Sequence, residues 1–293
     1  MAAALLAQEP AARSLFQRAS EILGLDLAEA CTTGSEALLT RTDIAQPALL
    51  TTCLGWWLAL REQGVEPALA AGHSLGEFSA WVCAGALEFE PALRLVRRRG
   101  ELMEEAARRR PGGMLAIIGL AGERVEEVCR RAGEGGTLVV ANHNCPGQVV
   151  ISGEEGALER AAGLVRAMGG RAIRLRVSGA FHSPLMEDAA LSFSRLVAET
   201  PVAAPAVPVV ANVHAEPIRD AEGVREAMAR QMTSPVLWTD SVRRMVGEGA
   251  EVFVEVGPGR VLVKLIARIA PEIPALPVGS PEELEAALEG LSR

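Results

Sequence analysis

Apolar residues recur at helical spacing near the start of the chain. Over residues 3–23, Leu6, Leu15, Phe16, Ala19 and Leu23 alternate with Arg13, Gln17 and Glu21, which predicts an amphipathic helix. Residues 44–63 are apolar on nearly all sides and predict a buried helix. Their run "PALLTTCLGWWLAL" (47–60) falls short of the ~18 residues of a membrane span and contains threonine. "PALAAG" (67–72) predicts a short buried strand ending at a glycine, and a further helix spans 88–108, closing on Arg108-Arg109-Arg110-Pro111.

From 113 to 178 the pattern shortens. "GMLAIIGL" predicts a strand, "ERVEEVCRRA" a helix, "TLVVANHN" and "QVVISG" two strands joined through Pro146-Gly147, "EEGALERAAGLVRAMG" a helix and "RAIRLRV" a strand. That order, βαββαβ, is the pattern of a ferredoxin-like unit. It reads as an insertion at 111–178 between two parts, 1–110 and 179–293, of a larger α/β unit. After it come a helix at "SPLMEDAALSFSRLVAET", strands at "VPVVANV" and "EVFVEVGPG", a helix at "RVLVKLIARI" and a last helix opened by the Ser-x-x-Glu capping box of "SPEELEAALEGL". The expected fold class is α/β, with a parallel sheet in the larger unit.

Composition narrows the field. Only 3% of the 293 residues are aromatic and none is tyrosine, so the core must be mostly Ala, Leu and Val. A net charge of -8 argues against a nucleic-acid binder. The five cysteines are an odd number, widely spaced, with no C-x-x-C, which predicts reduced thiols in a cytoplasmic protein and no structural metal. No cationic stretch leads into an apolar core at the N-terminus, so no signal peptide is expected, and no membrane contact.

The candidate chemistry begins at Gly72-His73-Ser74-Leu75-Gly76, a G-x-S-x-G between a predicted strand and a predicted helix. A nucleophile elbow needs glycines flanking the serine, which then faces the N–H groups of a helix N-terminus. The plain alternative is a serine N-cap with Glu77 as its box partner. A nucleophilic serine needs a base. Of His73, His143, His182 and His214, His73 is adjacent and diverges at the turn, His143 lies in a loop of the small unit, and His214 is a surface residue after a strand. His182, in "SGAFHSPLM", lies where the small unit rejoins the large one, and junctions form clefts.

Arg99 falls on the wrong face of its helix. On a wheel of ~100° per residue with Leu93 at zero, Arg99 lies near ~240°, within the arc of Leu95, Val96, Leu102 and Met103, whereas Arg97 and Arg98 lie outside it. A guanidinium there needs an anionic partner, either a structural Glu or a substrate carboxylate held bidentately.

"GHSLGEFSAWVCAGAL", "RRRGELMEEA", "NHNCPGQVVISG", "GAFHSPLM", "RQMTSPVLWTDSV" and "EVGPGRVLVKLI" together resemble the acyltransferase family of fatty-acid and polyketide synthesis, of the malonyl-CoA:acyl carrier protein transacylase type. The resemblance covers almost the whole chain. It implies an α/β-hydrolase-like large subdomain with a ferredoxin-like insertion. It also implies ping-pong transfer of a malonyl group from malonyl-CoA to the pantetheine thiol of acyl carrier protein, in a monomer, with no cofactor beyond the CoA thioester itself. By motif, Ser74 resembles the nucleophile, His182 the base and later acid, and Arg99 the clamp for the malonyl carboxylate. The Gln231 carbonyl resembles the group that orients the histidine, and the Leu75 N–H an oxyanion donor. Phe181 is expected to limit room for a C2 methyl, and Asn144 and Gln148 to line the acyl or pantetheine side. Carrier proteins are acidic, so Arg108–Arg110 and Arg171–Arg176 are candidate docking patches. Family members begin with a strand and a Gly-Gln-Gly loop whose glutamine supplies a second oxyanion N–H. This sequence lacks that segment ahead of Met1, so a truncated chain or a misplaced start is expected, with activity lowered on the order of 10²–10³. Two alternatives stay open: a serine thioesterase or esterase, and an inactive truncated copy.

Overall fold

Pro10 divides the first periodic stretch. In the computed structural model, which describes residues 1–292, two helices stand where one was predicted, Ala3–Gln8 and Pro10–Leu23. Pro10 occupies the first turn of the second helix, where a missing N–H loses no hydrogen bond. Leu5, Ala12, Phe16 and Ala19 are buried, and the second helix packs on the long helix Thr42–Glu62. That helix is apolar on most sides and central to the core, with Leu50, Leu54, Trp56 and Leu60 all buried. Pro47 inside it leaves the Asp43 carbonyl without its helical donor, and Arg97 Nη1 donates to that carbonyl at 3.2 Å.

The helix Phe89–Arg109 crosses Thr42–Glu62 at Gly100. A Cβ there would lie 2.5 Å from the Thr42 carbonyl oxygen, so the two helices meet backbone to backbone. The close approach brings the neighbouring residue, Arg99, against Gln46 of the other helix. No helix of the described residues is long and apolar enough to cross a membrane.

Nine strands form three sheets among the described residues. β1 (Ala70–Ala71) pairs in parallel with β6 (Val209–Val210), which pairs antiparallel with β7 (Pro217–Ile218). β8 (Phe253–Val256) and β9 (Ala275–Val278) form a parallel pair of their own. The parallel component predicted for the larger unit is thus present, in two pieces. β1 and β6 are much shorter than their apolar runs. Pro208 has no N–H for the ladder, though its carbonyl accepts from Ala70 N, and the chain turns away at Ala211, whose N–H donates to Glu216 O.

The inserted unit holds β2 (Gly113–Ile118), β3 (Leu138–Cys145), β4 (Gln148–Gly153) and β5 (Arg171–Arg174) in the order β3-β4-β2-β5, all antiparallel. Helices Gly122–Ala132 and Glu155–Ala167 cover the sheet. Ile117, Val125, Val128, Ile151, Leu158 and Val165 make a core of its own. This is the ferredoxin-like arrangement. β3 is irregular at Val140/Asn142 and again at His143/Cys145. There it bonds to the large subdomain: His143 N donates to Val236 O, Val236 N to Ala141 O, and Thr239 Oγ1 to His143 O. His143 is therefore a strand residue, and Asn144, the penultimate residue of β3, reaches His73, the neighbour of Ser74, at 2.9 Å.

Candidate active site

The elbow forms because Gly72 has no side chain. A Cβ there would run into the backbone of Gly76 and Glu77. Gly76 is different, since a Cβ added to it meets nothing within 4 Å, so the turn requires only the first of the two glycines. Ser74 takes a left-handed conformation, φ 51°, and the helix Gly76–Cys83 follows with Leu75 as its N-cap. Ser74 does not cap this helix, and Glu77 is not its box partner. Glu77 is fully buried and accepts from Asn212 N (2.6 Å) and Gln231 Nε2.

Asn212 holds the elbow from behind. Its Oδ1 accepts from Ser74 N at 2.7 Å and its Nδ2 donates to Gly72 O at 2.6 Å. Gln231 Nε2 also donates to Ser74 O at 3.0 Å. The first helical N–H groups fold back on the turn, Gly76 N to His73 O and Glu77 N to Ser74 O. No acceptor among the described residues takes the Leu75 N–H. A donor at a helix N-terminus is therefore open beside Ser74.

Ser74 Oγ lies 2.8 Å from His182 Nε2. His182 is buried, also left-handed at φ 56°, and its Nδ1 faces the carbonyls of Gln231 (3.0 Å) and Ser234 (3.1 Å). Nδ1 facing two acceptors must carry the hydrogen, which leaves Nε2 free to accept the serine proton. The Gln231 carbonyl belongs to the C-cap of the helix Ala221–Arg230, where backbone oxygens lack helical donors and the dipole favours a cation, and the Ser234 carbonyl follows in the turn beyond it. Burial, then the Arg99 charge, push His182 down to about 3. His73 is also held below its ordinary value by burial; its Nε2 bonds Asn144 Oδ1 at 2.9 Å and its ring stands against Trp238.

Arg99 is 1% exposed, whereas the side chains of Arg97 and Arg98 reach solvent and pair with Glu101. Its Nη1 donates to Gln46 Oε1 (2.8 Å), and its Nη2 to Gln231 Oε1 (2.9 Å) and Ser74 Oγ (3.2 Å). The Phe78 ring lies 5.6 Å from Cζ. Burial lowers Arg99 to about 10, still cationic at neutral pH. Yet none of the described carboxylates forms an ion pair with it, and its Nε–H has no partner. The nearby buried carboxylate, Glu77, gives its oxygens to amide donors, and burial raises it to about 7. The guanidinium is thus a buried cation with a donor unfilled, which is what a small carboxylate requires.

Of the residues singled out in the sequence, Ser74, His182, Arg99, Gln231 and Leu75 converge. Asn144 joins through His73. Phe181 packs between the main core and the small subdomain. Gln148 lies at the β3–β4 turn, where Arg268 Nη1 (3.4 Å) and Cys145 Sγ engage its Oε1, and it shares no hydrogen bond with the Ser74 network. Glu77, Gln46, Asn212 and Ser234 were missed as site residues. Asn212 alone left a trace, a polar residue closing the apolar run "VPVVAN".

The acyl transferase domain family model matches residues 1–275. The malonyl CoA-acyl carrier protein transacylase of Bacillus subtilis is 41% identical over 289 residues, covering 98% of this chain and 91% of that protein. The crystal structure of an acyl carrier protein S-malonyltransferase from Vibrio cholerae superposes with a TM-score of 0.94 at 40% identity, covering 98% of this chain and 94% of that one. A malonyl-transacylase in complex with its type II polyketide acyl-carrier protein superposes with a TM-score of 0.96 at 40% identity, over 99% and 94% of the two chains.

Proposed function

This chain belongs to the acyl transferase domain family, and on that premise we propose that it moves a malonyl group from malonyl-CoA to the pantetheine thiol of an acyl carrier protein, through a malonyl ester on Ser74. One observation carries the reading. Ser74 Oγ lies between a neutral imidazole nitrogen and a buried guanidinium that no carboxylate among the described residues pairs with. A nucleophile and an anion clamp on one oxygen suit an acyl group that carries its own carboxylate.

His182 Nε2 takes the Ser74 proton as Oγ attacks the thioester carbonyl. The Leu75 N–H stabilises the oxyanion. The C–S bond breaks and the CoA thiolate leaves, taking the proton from His182. The carrier thiol then gives its proton to His182 and attacks the ester carbon, and Ser74 leaves with that proton. Arg99 holds the malonyl carboxylate in both halves. Phe181 limits room beside C2, and Asn144 and Gln148 border the pantetheine path. The inserted unit is taken as residues 111–178, and the enzyme as a cytoplasmic monomer supplying extender units.

Mass spectrometry of the Ser74 peptide after mixing with malonyl-CoA tests this. The expected result is a malonyl adduct, absent in Ser74→Ala and discharged by the carrier thiol. No adduct, or an adduct released only to water, would overturn it.

A further inference from the structure

The reaction above uses Ser74, His182, Arg99 and the Gln231 carbonyl, and leaves a fully buried carboxyl beside them without a task. Glu77 has two acceptor oxygens and two donors on them. One donor is main chain, Asn212 N at 2.6 Å, and cannot turn. The other is the Gln231 carboxamide, whose Nε2 donates to Glu77 Oε2 and to Ser74 O.

A carboxamide fits its space in either of two orientations, and its partners decide between them. At Gln231 the decision matters because the other end of the amide meets a cation. With Nε2 toward Glu77, Oε1 accepts from Arg99 Nη2 at 2.9 Å. Turned over, the NH₂ would face the guanidinium, donor against donor. Ser74 O also favours the observed orientation, but it takes only one of the two Nε2 hydrogens. The acceptor that both points Nε2 inward and is itself fixed, through Asn212 N, is Glu77.

Resting on the function proposed above, we infer that Glu77 is a positioning residue: by fixing the Gln231 amide it sets the Arg99 clamp, and so the preference for a carboxylated acyl group. Glu77 touches no substrate. It acts through Gln231 on Arg99, and through Asn212 on the Ser74 N–H and the Gly72 carbonyl.

Glu77→Gln separates this from mere filling of space, because it keeps the volume and loses one acceptor. Its oxygen must face Asn212 N, so its NH₂ faces Gln231 and drives that amide over, away from Arg99. Rates of Ser74 acylation from malonyl-CoA and from acetyl-CoA are compared in wild type, Glu77→Gln and Glu77→Asp. The malonyl-to-acetyl ratio is expected to fall by about tenfold or more in Glu77→Gln, the worth of one hydrogen bond to a charged group. Glu77→Asp, shorter but with both acceptors, is expected to keep a ratio nearer wild type even where it is less stable. An unchanged ratio in Glu77→Gln, or a ratio better kept by Gln than by Asp, overturns the inference and assigns Glu77 to packing alone. If Glu77→Gln does not fold, Glu77→Met is expected to lower the ratio by less than Gln would, because the fixing acceptor is gone but Ser74 O still holds one Nε2 hydrogen, and an unchanged ratio there overturns the inference; failure of both to fold also overturns it. A wild-type protein that takes no malonyl group would instead sink the function, independently of Glu77.

Discussion

Ser74 and His182 meet at 2.8 Å with both backbones left-handed, at φ 51° and 56°. Neither is glycine, so each carries a conformational penalty that the surrounding hydrogen bonds hold in place. Replacing Ser74 by Gly removes the penalty and the nucleophile together. Ser74→Gly is expected to be inactive yet more stable than Ser74→Ala by about 1 kcal/mol, read by chemical denaturation. Equal stability of the two would show that the turn is unstrained.

The two glycines of the elbow should respond differently. Gly72→Ala forces a methyl group into the Gly76–Glu77 backbone and is expected to abolish activity and lower the melting temperature sharply. Gly76→Ala meets nothing within 4 Å and lies in the first turn of a helix, so stability should hold or rise by up to ~1 kcal/mol. Thermal unfolding of the pair checks this.

Arg99 and His182 face Ser74 Oγ together, and the Arg99 charge, like the nearby His73, disfavours a proton on His182. A carboxylate on Arg99 cancels that effect. Histidine NMR should therefore show His182 titrating at higher pH in Arg99→Ala, and in wild type with malonate bound, than in the free enzyme. In kinetics, Arg99→Ala should lower malonyl transfer by roughly 10²-fold or more while raising acetyl transfer relative to it. Equal losses for both acyl groups would contradict the clamp.

Glu77 and His182 pull stability in opposite directions with pH. The folded protein holds the Glu77 proton up to about 7, against 4.5 ordinarily, so this group makes stability fall as pH rises from 4.5 to 7. His182 resists protonation down to about 3, against 6.5 ordinarily, so its contribution is complete above 6.5 and is lost as pH falls toward 3. Between 4.5 and 6.5 the two offset. Denaturation curves should show Glu77→Gln gaining on wild type from pH 4.5 to 7, on the order of 3 kcal/mol at ~1.4 kcal/mol per pKa unit, and no further above 7. His182→Asn should gain on wild type as pH falls below 6.5.

Much of the site was legible because two residues break local rules. Ser74 lies between a strand-like and a helix-like run, and Arg99 lies among apolar positions of its own helix. Gln46 and Glu77 break no rule near themselves, and Asn212 only closes an apolar run; their partners lie 53 to 154 residues away and meet only through tertiary packing. The ferredoxin-like order was readable because each of its elements has its own period and its own turn. The large subdomain was less so. Its buried runs at 67–72 and 207–213 are as apolar as full strands, but Pro208 and the turn at Ala211 leave two residues of each in the ladder. Pro10 was visible too, yet the helical periodicity continues across it into a second, separate helix.

Two main-chain carbonyls, not a carboxylate, stand behind His182. They fix the ring and its tautomer, yet bring no full negative charge to sustain an imidazolium. Once Ser74, held against Nε2, has taken the acyl group, such a base favours whichever second attacking group parts more readily with its proton. A thiol does so near pH ~8.5, whereas water holds its proton to far higher pH. The acyl ester on Ser74 would then outlast the water around it and give way to a sulfur, so the choice between handing on the acyl group and destroying it is built into which oxygens face one imidazole nitrogen.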